Sequence, residues 1–124
     1  TGFLDGLQDV PAGAPPWITE AELDHFRAEF SACGFFGPVS WYRNLDANFD
    51  LVGDTPASNV TMPAYFIGGS KDMVVTMNMG ALDAMPTTLP GFRRSVLLPD
   101  VGHWTPQEDP VAFNEALLGM LAEL

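Results

Sequence analysis

Val96-Leu97-Leu98-Pro99-Asp100-Val101-Gly102-His103-Trp104 organises the rest of the chain. An uninterrupted apolar run closed by proline reads as a strand buried on both faces of an α/β sheet. Asp109-Pro110 then opens a helix, with an N-cap carboxylate and proline at the first helical position. Phe113, Leu117, Met120, Leu121 and Leu124 recur at helical spacing and are expected to form its apolar stripe. His103 therefore falls just beyond the carboxyl end of a strand, where open α/β sheets place their reactive groups.

Working upstream, Pro63 introduces Ala64-Tyr65-Phe66-Ile67, a second buried strand, with Tyr65 expected in the core. Gly68-Gly69-Ser70-Lys71-Asp72 follows as a loop, and a helix is expected from about Thr76 to Met85, ending at Pro86. Residues 86–94 read as a connector. The order is strand, acidic loop, helix, strand, histidine loop, helix. If the strands are parallel, both loops leave the same edge and Asp72 can meet His103. A carboxylate held against one imidazole nitrogen fixes the tautomer and leaves the other nitrogen to act as a base. The simpler reading of Asp72 is a helix cap.

Nearer the amino terminus, Thr19-Glu20-Ala21-Glu22 is a capping box. Leu23, Phe26, Phe30 and Cys33 mark one face of the helix it opens, and Gly34 ends it. Ser40 is placed to cap a further helix running to about Phe49, on which Tyr42, Leu45 and Phe49 share a face. By periodicity alone Tyr42 is a packing residue. Residues 1–18 read as a linker or extended arm, and residues 50–61 as a connector.

Composition narrows the partners. The 124 residues carry sixteen acidic against five basic side chains, a net charge of −11. Such a surface repels nucleic acid and anionic membranes. No apolar run approaches a membrane span, no secretory leader is recognisable, and Cys33 has no cysteine to pair with. A cytoplasmic location is expected. One loop histidine among scattered carboxylates falls short of a zinc site, so neither metal nor cofactor is expected.

Gly34-Phe35-Phe36-Gly37-Pro38, Trp41-Tyr42-Arg43-Asn44, Gly69-Ser70-Lys71-Asp72 and Gly102-His103-Trp104-Thr105 stand together from about Trp17 onward. With the Thr19–Phe30 helix, they make the chain resemble the carboxyl-terminal part of α/β-hydrolase-fold epoxide hydrolases. The Gly-Pro-x-x-Trp-Tyr-Arg-Asn combination is the most specific of these features. In that family an aspartate attacks an epoxide carbon while two cap tyrosines donate to the ring oxygen. A histidine–acid pair then activates water, which hydrolyses the alkyl-enzyme ester to a diol.

By position, the resemblance implies that Tyr42 is a ring-opening tyrosine, Asp72 the acid partner and His103 the water-activating base. Met73, Val74 and Trp104 would line the substrate pocket. It also implies that residues 1–50 are linker and the end of a helical cap, and residues 51–124 the end of the core domain. The family's nucleophile elbow, oxyanion loop and first cap tyrosine belong to an amino-terminal half with no counterpart here. The expected partners are that half and a small epoxide, and a homodimer stays open. A haloalkane or haloacid dehalogenase of the same fold, with Trp41 and Trp104 as halide donors, and a non-catalytic binding segment are the alternatives.

Overall fold

The computed structural model describes residues 13–53, 55–56 and 59–124. Most of the arm expected over residues 1–18 therefore lies outside the described residues. Element order is α1 (Glu20–Cys33), α2 (Phe36–Arg43), α3 (Leu45–Val52), β1 (Ala64–Gly69), α4 (Met73–Met77), α5 (Met79–Thr88), β2 (Phe92–Leu98), α6 (Thr105–Glu108) and α7 (Pro110–Leu121). The chain divides into two compact units, Thr1–Phe36 and Gly37–Leu124.

In the first unit the capping box forms as expected. Thr19 Oγ1 accepts from the Glu22 amide at 3.3 Å, and the Glu22 carboxylate accepts from the Thr19 amide at 2.8 Å. Gly34 closes α1 at φ +69°, a left-handed angle that glycine adopts without strain. The helix buries none of its residues, and on its apolar face Phe30 stacks with Phe35.

In the second unit, β1 and β2 pair in parallel from Ala64↔Phe92 to Gly69↔Leu98, with a register shift after Ala64. The crossover between them runs through α4 and α5. α7 packs on both strands and α5 on β2. Val75, Leu82, Leu98, Val101 and Met120 are the buried apolar residues, so the core gathers around the carboxyl end of β2. Val96 and Leu97 are only half-buried, short of the two-faced burial expected. Among the described residues the sheet has two strands, too few to enclose them.

Several local expectations are corrected. The α2–α3 region is two helices, because Asn44 adopts φ −92° and ψ 6° and starts α3 afresh. α2 begins at Phe36, so Ser40 lies inside it; Pro38 falls in the first turn, where its missing N–H removes no bond. α3 runs on to Val52, into the expected connector. Pro86 does not end α5, which continues to Thr88 with the Thr87 and Thr88 hydroxyls donating to the Ala84 carbonyl. Arg93 and Arg94 lie in β2 and not in a connector; Arg94 pairs with Glu123 at 2.9 Å. Tyr65 is half-buried, its hydroxyl donating to the same carboxylate.

The buried face of α7 is also rotated from the expected stripe. Ala112, Phe113, Ala116, Gly119 and Met120 turn inward, while Leu117, Leu121 and Leu124 are exposed. Small residues at 112, 116 and 119 let the helix axis approach the sheet closely.

Candidate active site

The loops leaving β1 and β2 are joined before any side chain of the site is considered. The Ser70 amide donates to the Leu98 carbonyl at 2.9 Å and the Lys71 amide to the Val101 carbonyl at 2.8 Å. Ser70 Oγ accepts from the Asp100 amide at 2.9 Å, and Lys71 Nζ pairs with Asp100 at 2.8 Å. Asp100 takes φ +60° at the bend, a left-handed angle that aspartate tolerates better than most residues. At Gly69 a Cβ would overlap the carbonyl oxygens of Val101 and Gly102, so the approach of the two loops requires glycine there.

This zipped edge carries Asp72 and His103 to one another. His103 Nδ1 lies 2.9 Å from Asp72 Oδ2. The other carboxylate oxygen, Oδ1, accepts from the Val74 amide at 2.8 Å and caps α4. Both readings of Asp72 thus hold at once, one oxygen each. Its side chain is 10% exposed, against 62% for the imidazole. Burial pushes the Asp72 carboxyl up, but the His103 bond and the α4 amides outweigh it and hold it below the usual aspartate range. An ionised carboxylate only accepts, so Nδ1 is the donor, which leaves the lone pair of the neutral ring on Nε2.

Trp104 packs edge-on against the imidazole, ring centres 5.6 Å apart at 85°. Met73 and Val74 form the first turn of α4, beside Asp72, with exposed side chains. Tyr42 stands apart. It is 74% exposed on α2, bordering a shallow depression shared with Pro38, Trp41, Leu45 and Asn48. That lining includes neither Asp72 nor His103, and no hydrogen bond joins Tyr42 to them among the described residues. At that exposure Tyr42 does not have the packing role that periodicity alone gives it.

Glu108 is a further residue of the site, one that neither apolar periodicity nor the resemblance singles out. Its carboxylate accepts from the Gly102 amide at 2.7 Å and the Trp104 amide at 3.0 Å, one on each side of His103. Its signal is a glutamate in the first turn after Thr105-Pro106, placed to reach back to the amides at the start of its own helix, as in a capping box.

Comparison with known proteins extends the geometry. No protein-family model matches the chain. Epoxide hydrolase A of Mycobacterium tuberculosis is 40% identical over 123 residues, which is 99% of this chain and 37% of that protein. The structure of an epoxide hydrolase from an endophytic Streptomyces superposes with a TM-score of 0.81 at 39% identity, over 90% of this chain and 34% of the other. The chain matches the carboxyl-terminal part of α/β-hydrolase-fold epoxide hydrolases. Epoxide hydrolase A from Mycobacterium thermoresistibile gives the same picture, at a TM-score of 0.78 and 37% identity.

The chain spans about a third of the length of epoxide hydrolases A and B of Mycobacterium tuberculosis. The α/β architecture expected from the sequence is therefore found as a strand–helix–strand–helix segment of the epoxide hydrolase fold. None of its described helices is long and apolar enough to cross a membrane.

Proposed function

We propose that this chain supplies Tyr42, Asp72 and His103 to the active site of an epoxide hydrolase whose nucleophilic aspartate lies in the amino-terminal part that the relatives also possess. The observation that carries the reading is the 2.9 Å contact between His103 Nδ1 and Asp72, in a chain 40% identical to an epoxide hydrolase. In this reading residues 1–50 belong to the linker and cap and residues 51–124 to the core. Met73, Val74 and Trp104 border the substrate beside the pair. The exposed thiol of Cys33 suits a reducing, cytoplasmic setting.

The chemistry divides in two. A carboxylate oxygen from the amino-terminal part forms a bond to an epoxide carbon, the carbon–oxygen bond of the ring breaks, and the Tyr42 phenol gives its proton to the departing oxygen. A strained ether leaves poorly as a bare alkoxide, so a phenol donor at that oxygen lowers the barrier. His103 Nε2 then takes a proton from water as the oxygen of that water adds to the ester carbonyl. Asp72 stabilises the imidazolium that results. Collapse of the adduct frees the diol and the carboxylate, and the imidazolium proton replaces the one lost by Tyr42. The sum is epoxide plus water to vicinal diol.

The test joins the full 124-residue chain to the amino-terminal part of the Mycobacterium tuberculosis relative that it does not match. The chimaera should convert a small aryl epoxide to its diol. A folded chimaera that opens no epoxide, or one that releases halide from haloalkanes instead, would overturn the reading.

A further inference from the structure

We infer that Glu108 is a positioning residue for His103, acting through the backbone on either side of it. The inference rests on the role given to His103 above, and adds a second carboxylate to the one that touches its ring. Asp72 fixes the direction of the imidazole, but a side chain can be no better placed than the Cα that carries it. His103 is exposed, follows a glycine and is part of no helix or strand. Its own neighbourhood therefore provides little to hold it.

Glu108 provides the restraint. One carboxylate oxygen takes the Gly102 amide and the other the Trp104 amide, at 2.7 and 3.0 Å, so the Val101–Gly102 and His103–Trp104 peptide units, before and after the His103 Cα, are tied to a single planar group. Bonds from neutral donors to a carboxylate are shorter and stronger than those between neutral groups. Two on one carboxylate also leave the loop little freedom to twist. Glu108 is itself carried on α6, a short helix whose Thr105 is buried. The fit is close: a Cβ on Gly102 would come within 2.9 Å of Glu108 Oε1. Any larger residue at 102 would push the carboxylate away from the amides it holds.

The arrangement makes a distinction that activity alone would miss. In the two-step reaction His103 acts only after ring opening. A displaced His103 therefore slows ester hydrolysis and leaves ring opening alone. A shift of the order of 1 Å in a catalytic group costs roughly 10²-fold. Glu108→Gln keeps one acceptor oxygen and the same shape, and loses one of the two bonds. Glu108→Ala loses both.

Single-turnover measurements on the chimaera separate the steps. Glu108→Gln should slow ester hydrolysis about tenfold and Glu108→Ala roughly a hundredfold, with ring opening within about twofold of the parent rate. Equal loss in both steps, or no loss in either, would overturn the inference. A second readout needs no turnover: the imidazole Nδ1 proton shared with Asp72, observed by proton NMR. In Glu108→Gln it should exchange with water about tenfold faster than in the parent, and unchanged exchange would overturn the inference even in an inactive protein. If the parent chimaera opens no epoxide, the function proposed above fails, and the NMR comparison still decides the role of Glu108.

Discussion

The loops at the end of the sheet and the α2–α3 helices each carry a residue of the candidate site, and they hold it in opposite ways. Asp72 and His103 are fixed by bonds within the chain: two backbone links between their loops, the Ser70 and Lys71 contacts to Asp100, and Glu108 beneath the histidine. Tyr42 is fixed by its helix and little else. Around it Trp41, Leu45 and Phe49 are exposed, with Trp41 at 78%, and no residue of α2 or α3 is buried. The acid–histidine pair is a property of this chain. In the proposed function, whatever brings Tyr42 to a substrate must also cover those aromatics, since an exposed apolar patch of this kind marks a surface that meets another.

The largest effect is expected at the pair. His103→Gln in the chimaera should slow ester hydrolysis by about 10²- to 10⁴-fold, the range for loss of a general base. The protein should then carry a covalent adduct with the mass of the epoxide, detectable by intact-protein mass spectrometry. Failure of the adduct to accumulate would remove His103 from the second step. Next in size, Tyr42→Phe should slow ring opening by about 10²-fold, as for loss of one oxyanion donor. It should leave the shared Nδ1 proton signal as it was, because Tyr42 has no bond to the pair. A change in that signal would mean that the two regions are coupled more closely than their contacts indicate.

A third substitution tests the sheet end as a structure. Leu98 is buried where β2 gives way to the histidine loop. Leu98→Ala should cost about 2–5 kcal/mol in urea unfolding of the chimaera, as for large-to-small changes in a core. A cost under about 1 kcal/mol would mean that the loops are held by their hydrogen bonds alone.

Legibility in the sequence follows the same division. The strand–loop–helix order after Pro63 was readable because apolar runs, Gly-Gly and Asp-Pro are local signals that the backbone obeys wherever it is packed. The meeting of Asp72 and His103 followed from assuming parallel strands. The burial of Val96 and Leu97 was overestimated because it depends on how many strands the sheet has, which no local pattern encodes. The face of α7 was misjudged for a related reason: large apolar residues marked the stripe, whereas close packing on the sheet selected Ala112, Ala116 and Gly119. Glu108 escaped because its partners are backbone amides, which leave no trace in composition. The role of Tyr42 was carried by resemblance, and periodicity pointed elsewhere.

The smallest effect isolates the two oxygens of Asp72 from one another. Asparagine still offers one acceptor oxygen to the Val74 amide, so Asp72→Asn keeps the α4 cap and removes the charge that faces His103. The Asp72 carboxyl is held below the usual aspartate range in the folded chain, so the folded state binds its proton less readily than the unfolded state does. Its contribution is therefore complete above the ordinary aspartate pKa and is lost as pH falls from there through the lowered value. Urea midpoints of the parent chimaera should fall on acidification more steeply than those of Asp72→Asn. Asp100, held low by Lys71, and Glu22, held low by Thr19, contribute the same acid-side loss in both proteins. Parallel curves would mean that nothing in the folded chain holds the Asp72 carboxyl below its usual range, and the pair on which the proposed chemistry depends would lose its electrostatic basis.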